Sequence, residues 1–380
     1  MQITLTQEKL AKGLNYVSRA VSNKPNIPVL SNVLLEVSHN DLRLSATNLD
    51  MGINMWIPGK VEEEGKVTAS GKFLADFINA TGEGKVDIAL NQDVLHVEAE
   101  NSKADFNTIA ANEFPILPKA AGEPFFKLDA AEFSEAMDKV IFASSTDLVT
   151  SKIQFTGVLF ELDENAANKI TFTALDGYHL SHKTLDIKMP NPISLQMIVP
   201  ARALQEMMKI ISSEGAEEIG VYLSESRTQM IFKFSDIEFS VRLLEGPYPD
   251  YKRILPTEVS YSFEVNRGEL ERALKIINTF ARTGLGSRVD FDLDLETGTL
   301  VMRSKVAELG TNETKLAVQN ATGSNDLKEA FSVHYLLDMV SHLKGEVIRF
   351  ETNAPMAPAV FTNKGDKDFL HLVMPLQRVD

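Results

Sequence analysis

Leu5-Thr6-Gln7-Glu8-Lys9-Leu10-Ala11-Lys12-Gly13-Leu14-Asn15-Tyr16-Val17 decides the fold, because its apolar spacing returns twice at long intervals. Leu5, Leu10, Leu14 and Val17 stand five, four and three residues apart. Leu128, Phe133, Met137 and Val140 repeat those steps, and so do Val265, Leu270, Leu274 and Ile277. The first apolar residue closes a strand, the second sits on the first turn of a helix, and the last two steps are helical spacing. Apolar residues at i, i+4 and i+7 mark any core-facing helix, so a second helix tests the repeat. Leu74, Leu204 and Leu336 follow Leu10, Phe133 and Leu270 by 64, 71 and 66 residues. Lys72, Arg202 or His334 precedes each leucine by two positions, and Asp76, Glu206 or Asp338 follows it by two. Both series together predict three tandem copies of one unit.

The chain has 380 residues, 44% of them hydrophobic, enough to bury more core than one ordinary domain needs. Repeat offsets of 123 and 137 residues divide it into domains at 1–122, 123–257 and 258–380. The absence of cysteine excludes disulfides, thiolate metal sites and cysteine nucleophiles. Met1-Gln2-Ile3-Thr4-Leu5 carries no signal-peptide pattern, and no apolar run approaches membrane-spanning length. A soluble, cytoplasmic protein without membrane contact is expected.

Helices are expected near 7–21, 71–80, 131–143, 201–212, 268–281 and 333–343. Alternating apolar and β-branched residues predict strands at 31–37, 41–48, 51–57, 86–90, 94–99 and 104–109, then at 155–161, 170–174, 219–223 and 239–243. Each domain is therefore α+β, two helices covering one face of a sheet. Such a chain leaves an unpaired edge strand at each end. Head-to-tail pairing of two copies satisfies both edges and closes a ring.

If the helices line the hole of that ring, they should be more positive than the rest. The six helical segments sum to +3 within a chain of net charge −15, so the remainder carries −18. That contrast suits a protein that holds duplex DNA through its phosphates without reading bases. Candidate phosphate contacts are Lys9, Lys12, Arg19, Lys72, Arg202, Lys209, Arg272, Lys275 and Arg282. The segment 131–143 carries −2 and runs against the pattern.

Pro25-Asn26-Ile27-Pro28-Val29-Leu30, Ala174-Leu175-Asp176-Gly177-Tyr178-His179-Leu180, Tyr248-Pro249-Asp250-Tyr251-Lys252-Arg253-Ile254-Leu255-Pro256 and the closing Val373-Met374-Pro375-Leu376 accompany the three repeats. Together they resemble the bacterial β sliding clamps, the processivity subunits of DNA polymerase III, over essentially the whole chain. The resemblance implies a head-to-tail homodimer ring of six similar domains with helices inside. It also implies a clamp loader that opens the ring, and docking of the polymerase III alpha subunit, other polymerases and repair proteins through short linear motifs. A peptide groove carried over residue by residue comprises Phe155, Leu175, Gly177, Tyr178, His179, Leu180, Pro249, Arg253, Ile254, Tyr335, Val373, Met374, Pro375 and Leu376. Such a set of apolar residues with a few polar handles suits an apolar peptide anchor. The resemblance adds Lys24 and Lys152 to the DNA contacts. It is imperfect at His179, where the family commonly carries arginine or another basic residue.

Catalytic chemistry is not expected, nor a cofactor or metal. No nucleophile elbow, H-E-x-x-H, P-loop or G-x-G-x-x-G in a strand-to-helix context occurs. Asp290, Asp292 and Asp294 alternate along one strand face and read as solvated. A three-domain carboxylate hydrolase acting on a sugar or phosphoester is the alternative from another class. A non-ring scaffold that binds only peptides is a third reading.

Overall fold

The computed structural model describes residues 1–22, 26–147, 149–166, 168–189, 193–282, 285–307 and 310–377. It contains two compact units: Met1–Ser134 with Ile187–Asn191 and Arg202–Leu243, and Glu135–Asp186 with Pro192–Ala201 and Leu244–Asp380.

Among the described residues six α-helices recur in one local context. α1 (Gln7–Val17), α2 (Gly71–Ala80), α3 (Ala130–Val140), α4 (Ala201–Glu214), α5 (Arg267–Ala281) and α6 (Val333–His342) each follow directly on a strand. The apolar series quoted above forms the buried faces: Leu10, Leu14 and Val17, then Phe133, Met137 and Val140, then Leu270, Leu274 and Ile277 are at most 2% exposed. Side-chain carboxylate and amide groups start two of these helices. Asp129 Oδ1 accepts the N–H groups of Ala131 and Glu132, and Asn266 Oδ1 accepts that of Glu269. Two helices end earlier than their spacing predicts. α1 stops at Val17 and α3 at Val140, each giving way to a 3₁₀ turn, Ser18–Ala20 and Ile141–Ala143. Tightening the last turn satisfies carbonyls that a helix end leaves open.

The first unit is built on an antiparallel sheet of 13 strands. Its spatial order is Phe126–Asp129, Glu218–Leu223, Gln229–Phe234, Ile237–Arg242, Met51–Pro58, Asp41–Thr47, Asn32–Ser38, Gly65–Ser70, Ser102–Ile109, Val94–Ala99, Lys85–Asn91, Gln2–Thr6 and Lys60–Glu63. α1 packs on Asp41–Thr47 and Met51–Pro58, and against α2. Gly13 permits the close approach, since a Cβ there would stand 2.5 Å from Ile57 Cδ1.

The second unit has a nine-stranded sheet ordered Leu195–Pro200, Gly157–Leu162, Lys169–Leu175, His179–Asp186, Phe369–Val373, Ala359–Asn363, Val347–Thr352, Tyr261–Asn266 and Gln319–Thr322. A four-stranded sheet, Gly310–Ala317, Thr299–Val306, Arg288–Asp294 and Leu327–Ser332, completes it. α5 packs on Thr299–Val306 and Gly310–Ala317, and against α6.

The repeat extends to strand register. Met51 pairs with Val241 and Gly52 with Ser240, just as His179 pairs with Val373 and Leu180 with Leu372. In both cases a strand that follows a tight turn is joined by the last strand of the following repeat. Asp290, Asp292 and Asp294 alternate with buried Val289, Phe291 and Leu293. Asp290 and Asp292 are half-buried and pair with Arg288 and Arg303. Among the described residues no helix is long and apolar enough to cross a membrane.

Candidate DNA-facing helices and partner groove

The candidate phosphate contacts fall into two classes. On α1, Lys9 is exposed, but Lys12 Nζ lies 2.8 Å from Glu214, and on the 3₁₀ turn that follows Arg19 Nη1 lies 2.8 Å from Glu206. Both carboxylates belong to α4, and Glu214 holds the Lys12 amine above its usual range. Lys209 closes on Glu206 at 2.7 Å, and Lys275 is bridged to Glu271 one turn away. These four cations are partly spent on carboxylates. Lys72, Arg202, Arg272 and Arg282 are exposed with no carboxylate partner among the described residues, as is Lys152 on its loop. Lys24 lies outside the described residues. The acidic character of 131–143 is real at the surface: Glu132, Glu135 and Asp138 are exposed on α3. The one cation of α3, Lys139, is buried, 2.9 Å from Glu135 and 3.5 Å from Asp366.

The groove residues all belong to the second unit. Leu175 and Leu180 are buried in an apolar cluster with Leu159, Ile198, Tyr251, Val360 and Leu372, and Phe155 and Met374 pack against it. The strands put them there: Leu175 and Leu180 face each other across the turn Asp176-Gly177-Tyr178, and Leu180 neighbours Leu372. The turn needs Gly177, whose φ is +98° and whose absent Cβ would stand 3.8 Å from the Phe155 ring. Met374 N–H donates to Tyr178 O at 2.8 Å, and Leu376 N–H to Ala330 O at 2.7 Å, so the closing segment is pinned along the site. Val373 is fully buried and belongs instead to the core around α5 and α6. Arg253 and Ile254 are exposed, Arg253 paired with Asp250 at 2.7 Å, and Pro249 is half-buried.

Tyr178 and Tyr335 contribute rings. Tyr178 is 61% exposed, stacked at 6.3 Å on half-buried Tyr335. Tyr335 in turn stacks at 4.3 Å on His179, which is 5% exposed. The polar centre is a residue that the groove set implied by the resemblance leaves out. Asp176 Oδ1 accepts the backbone N–H groups of Tyr178 and His179 at 2.8 and 3.0 Å. Its Oδ2 accepts the Tyr335 hydroxyl at 3.2 Å and lies 3.4 Å from His179 Nε2. Burial raises the Asp176 carboxyl, but the His179 contact and the two backbone donors outweigh it and hold it below its usual range. Burial, and next the same carboxylate, push the Tyr335 hydroxyl up. Behind this layer Phe142 stacks on His342 at 4.1 Å and on His371 at 5.2 Å. The sequence gives no spacing signal for that cluster, which is assembled from three distant segments. Among the described residues no group of His, Asp or Glu could hold a metal ion.

The N-terminal, central and C-terminal domains of the DNA polymerase III beta subunit match residues 1–118, 127–250 and 252–377. The beta sliding clamp of Synechocystis sp. is 29% identical over all of both chains, and that of Staphylococcus epidermidis is 24% identical over 99% of each. A sliding clamp from Bacillus subtilis superposes with a TM-score of 0.93 at 22% identity, and the DNA polymerase III subunit beta of Pseudomonas aeruginosa with 0.91 at 25%, each over the whole of both chains. A Pseudomonas aeruginosa sliding clamp bound to griselimycin matches with a TM-score of 0.90 at 25% identity, also over both whole chains. These relatives leave the hydrolase alternative without support, and they fix the fold as three tandem clamp domains. The chain belongs to the DNA polymerase III beta subunit family, the non-catalytic sliding clamps that give a polymerase its processivity.

Proposed function

We propose that two copies of the chain close head to tail around duplex DNA and hold the polymerase on it by enclosure, while the groove captures short segments of partner proteins. The observation that carries the dimer is a pair of strand edges. Ser102–Ile109 pairs along its length with Val94–Ala99, but meets Gly65–Ser70 only through Thr108 and Ile109, so residues 102–107 have one open side. Gly310–Ala317 is the outer strand of its four-stranded sheet. Each edge is a template for another strand, and one edge belongs to the first repeat and the other to the third. Joining them between copies closes a ring without leaving either exposed.

In this reading the domains are 1–122, 123–257 and 258–380, and the channel cations are Lys72, Arg202, Arg272 and Arg282, with Lys9, Lys152 and Lys24. Lys12, Arg19, Lys209 and Lys275 contribute less, because carboxylates already screen them. The partners are the polymerase III alpha subunit, the clamp loader, and other polymerases and repair proteins, met in the cytoplasm where the DNA lies. Sedimentation of the full chain at micromolar concentration tests the assembly. A mass near twice 42.1 kDa is expected, and a single-chain mass contradicts it.

A further inference from the structure

The turn Asp176-Gly177-Tyr178 has a counterpart in the first unit, and the pair separates two roles of Asp176. Asn48 Oδ1 accepts the N–H groups of Asp50 and Met51 at 3.0 and 2.9 Å, just as Asp176 Oδ1 accepts those of Tyr178 and His179. Asn48 N–H donates to Met51 O at 3.2 Å, and Asp176 N–H to His179 O at 3.3 Å. The next residue has a positive φ in both, +77° at Leu49 and +98° at Gly177. Arg242 N–H donates to Asp50 O, and Met374 N–H to Tyr178 O, each at 2.8 Å. Closing this turn therefore takes one side-chain oxygen and no charge, as an amide supplies it in the first unit. Asp176 brings a second oxygen. Its Oδ2 accepts the hydroxyl of Tyr335, on α6, at 3.2 Å, in a side chain only 16% exposed. Tyr335 is the middle ring of three, between His179 at 4.3 Å and Tyr178 at 6.3 Å. It packs against the core around α5 and α6, whereas Leu175 and Leu180, on either side of the turn, belong to the apolar cluster of the groove. One carboxylate thus ties the turn that carries Tyr178 to the helix that carries Tyr335.

We propose that Asp176 is a positioning residue of the groove: through Oδ2 it fixes the Tyr335 ring, and with it the exposed Tyr178 ring stacked on Tyr335, as a wall for a partner's apolar anchor. A carboxylate suits this task because it accepts a hydroxyl more strongly than a neutral oxygen does. With the bond in place the wall is formed before the peptide arrives. Without it the two rings must be ordered on binding, which subtracts from affinity. The inference rests on the reading of the groove as a peptide site, and Asp176 acts through Tyr335 rather than by touching the peptide.

Binding of a short labelled peptide with an apolar anchor to the full chain tests it, in Asp176→Ser, Tyr335→Phe and the double variant. Serine keeps one oxygen for the backbone N–H groups of the turn and removes the one that meets Tyr335. Phenylalanine keeps the ring and removes only the hydroxyl. Each single variant is expected to weaken capture about fivefold, the size of ordering one or two side chains on binding. The double variant should also lose about fivefold rather than about twenty-fivefold, because both changes remove the same bond. A role in the turn alone would instead make the losses multiply, and that result overturns the proposal. So does native affinity in Tyr335→Phe, a variant that leaves the turn untouched and keeps the test decisive if Asp176→Ser folds poorly. Failure of the native chain to bind the peptide at all overturns the groove reading, and this proposal with it.

Discussion

Met374 and Leu376 sit on the segment that closes the groove, both half-buried and both held by backbone hydrogen bonds rather than by their side chains. Truncating either removes apolar contact without disturbing the strand pairing. Met374→Ala and Leu376→Ala should each weaken capture of an apolar-anchored peptide about tenfold, as anchor truncations of one to two kcal/mol do. Sedimentation should still give the dimer mass, and loss of the dimer would mean the groove is misplaced. Two histidines of the same unit make stability depend on pH. Burial pushes His182 down to about 4, with Lys252 adding to it and Glu161 opposing, while His371 is held well below its usual range. Both folded values lie below the unfolded one, so the unfolded chain binds more protons once the pH drops below about 6.5, and stability falls from there towards 4. His182 alone should cost about 2 kcal/mol by pH 5. Melting temperatures should drop between pH 7 and pH 5, and drop less in His182→Gln, whose amide can still meet the Thr173 hydroxyl; an equal drop contradicts the assignment. The resemblance to the clamp family pointed to Leu175, Leu180 and Tyr335 in the groove, yet left out Asp176. A carboxylate so close to a histidine reads as an accidental dyad until the turn geometry and the α6 hydroxyl are known.

The helices were legible as elements because one buried stripe at helical spacing sufficed to mark each of them. Strands were less so. His179–Asp186 and Gln229–Phe234 went unread because their pattern is not alternating: buried residues run consecutively, His179 to Ser181 and Met230 to Phe232, and polar Ser181 is fully buried with its hydroxyl 2.7 Å from His371 Nδ1. Formal charge summed by helix is blind to pairing. Lys12 and Arg19 look equivalent to Arg202 and Arg272 in the sequence, and only the structure puts Glu214 and Glu206 beside the first two. Replacing Arg202 and Arg272 by serine should lower duplex affinity and reduce the slope of log affinity against log salt by about one per lost phosphate contact. Lys12→Met with Arg19→Met should alter that slope less. Each should cost under about 1 kcal/mol of stability, since partly exposed ion pairs contribute little. Equal slope changes in the two double variants would contradict the division of the cations.

At the scale of the whole molecule, three copies of a strand–helix pattern were visible because the repeat preserves apolar spacing while everything else drifts. The matched register of Met51 with Val241 and His179 with Val373 is the same repetition expressed in backbone hydrogen bonds. Sequence could not reveal which edges stay open, because openness depends on how far Gly65–Ser70 runs beside Ser102–Ile109. The central claim is that DNA is held by enclosure and not by attraction alone, as a net charge of −15 would make a poor adhesive. The direct measurement is retention of the protein, loaded by a clamp loader onto nicked circular duplex, before and after a single restriction cut, at low and at high salt. Enclosure predicts persistence on the circle even in high salt and release once the DNA is linear. Salt-sensitive release from the circle, at the same rate as from linear DNA, would contradict it.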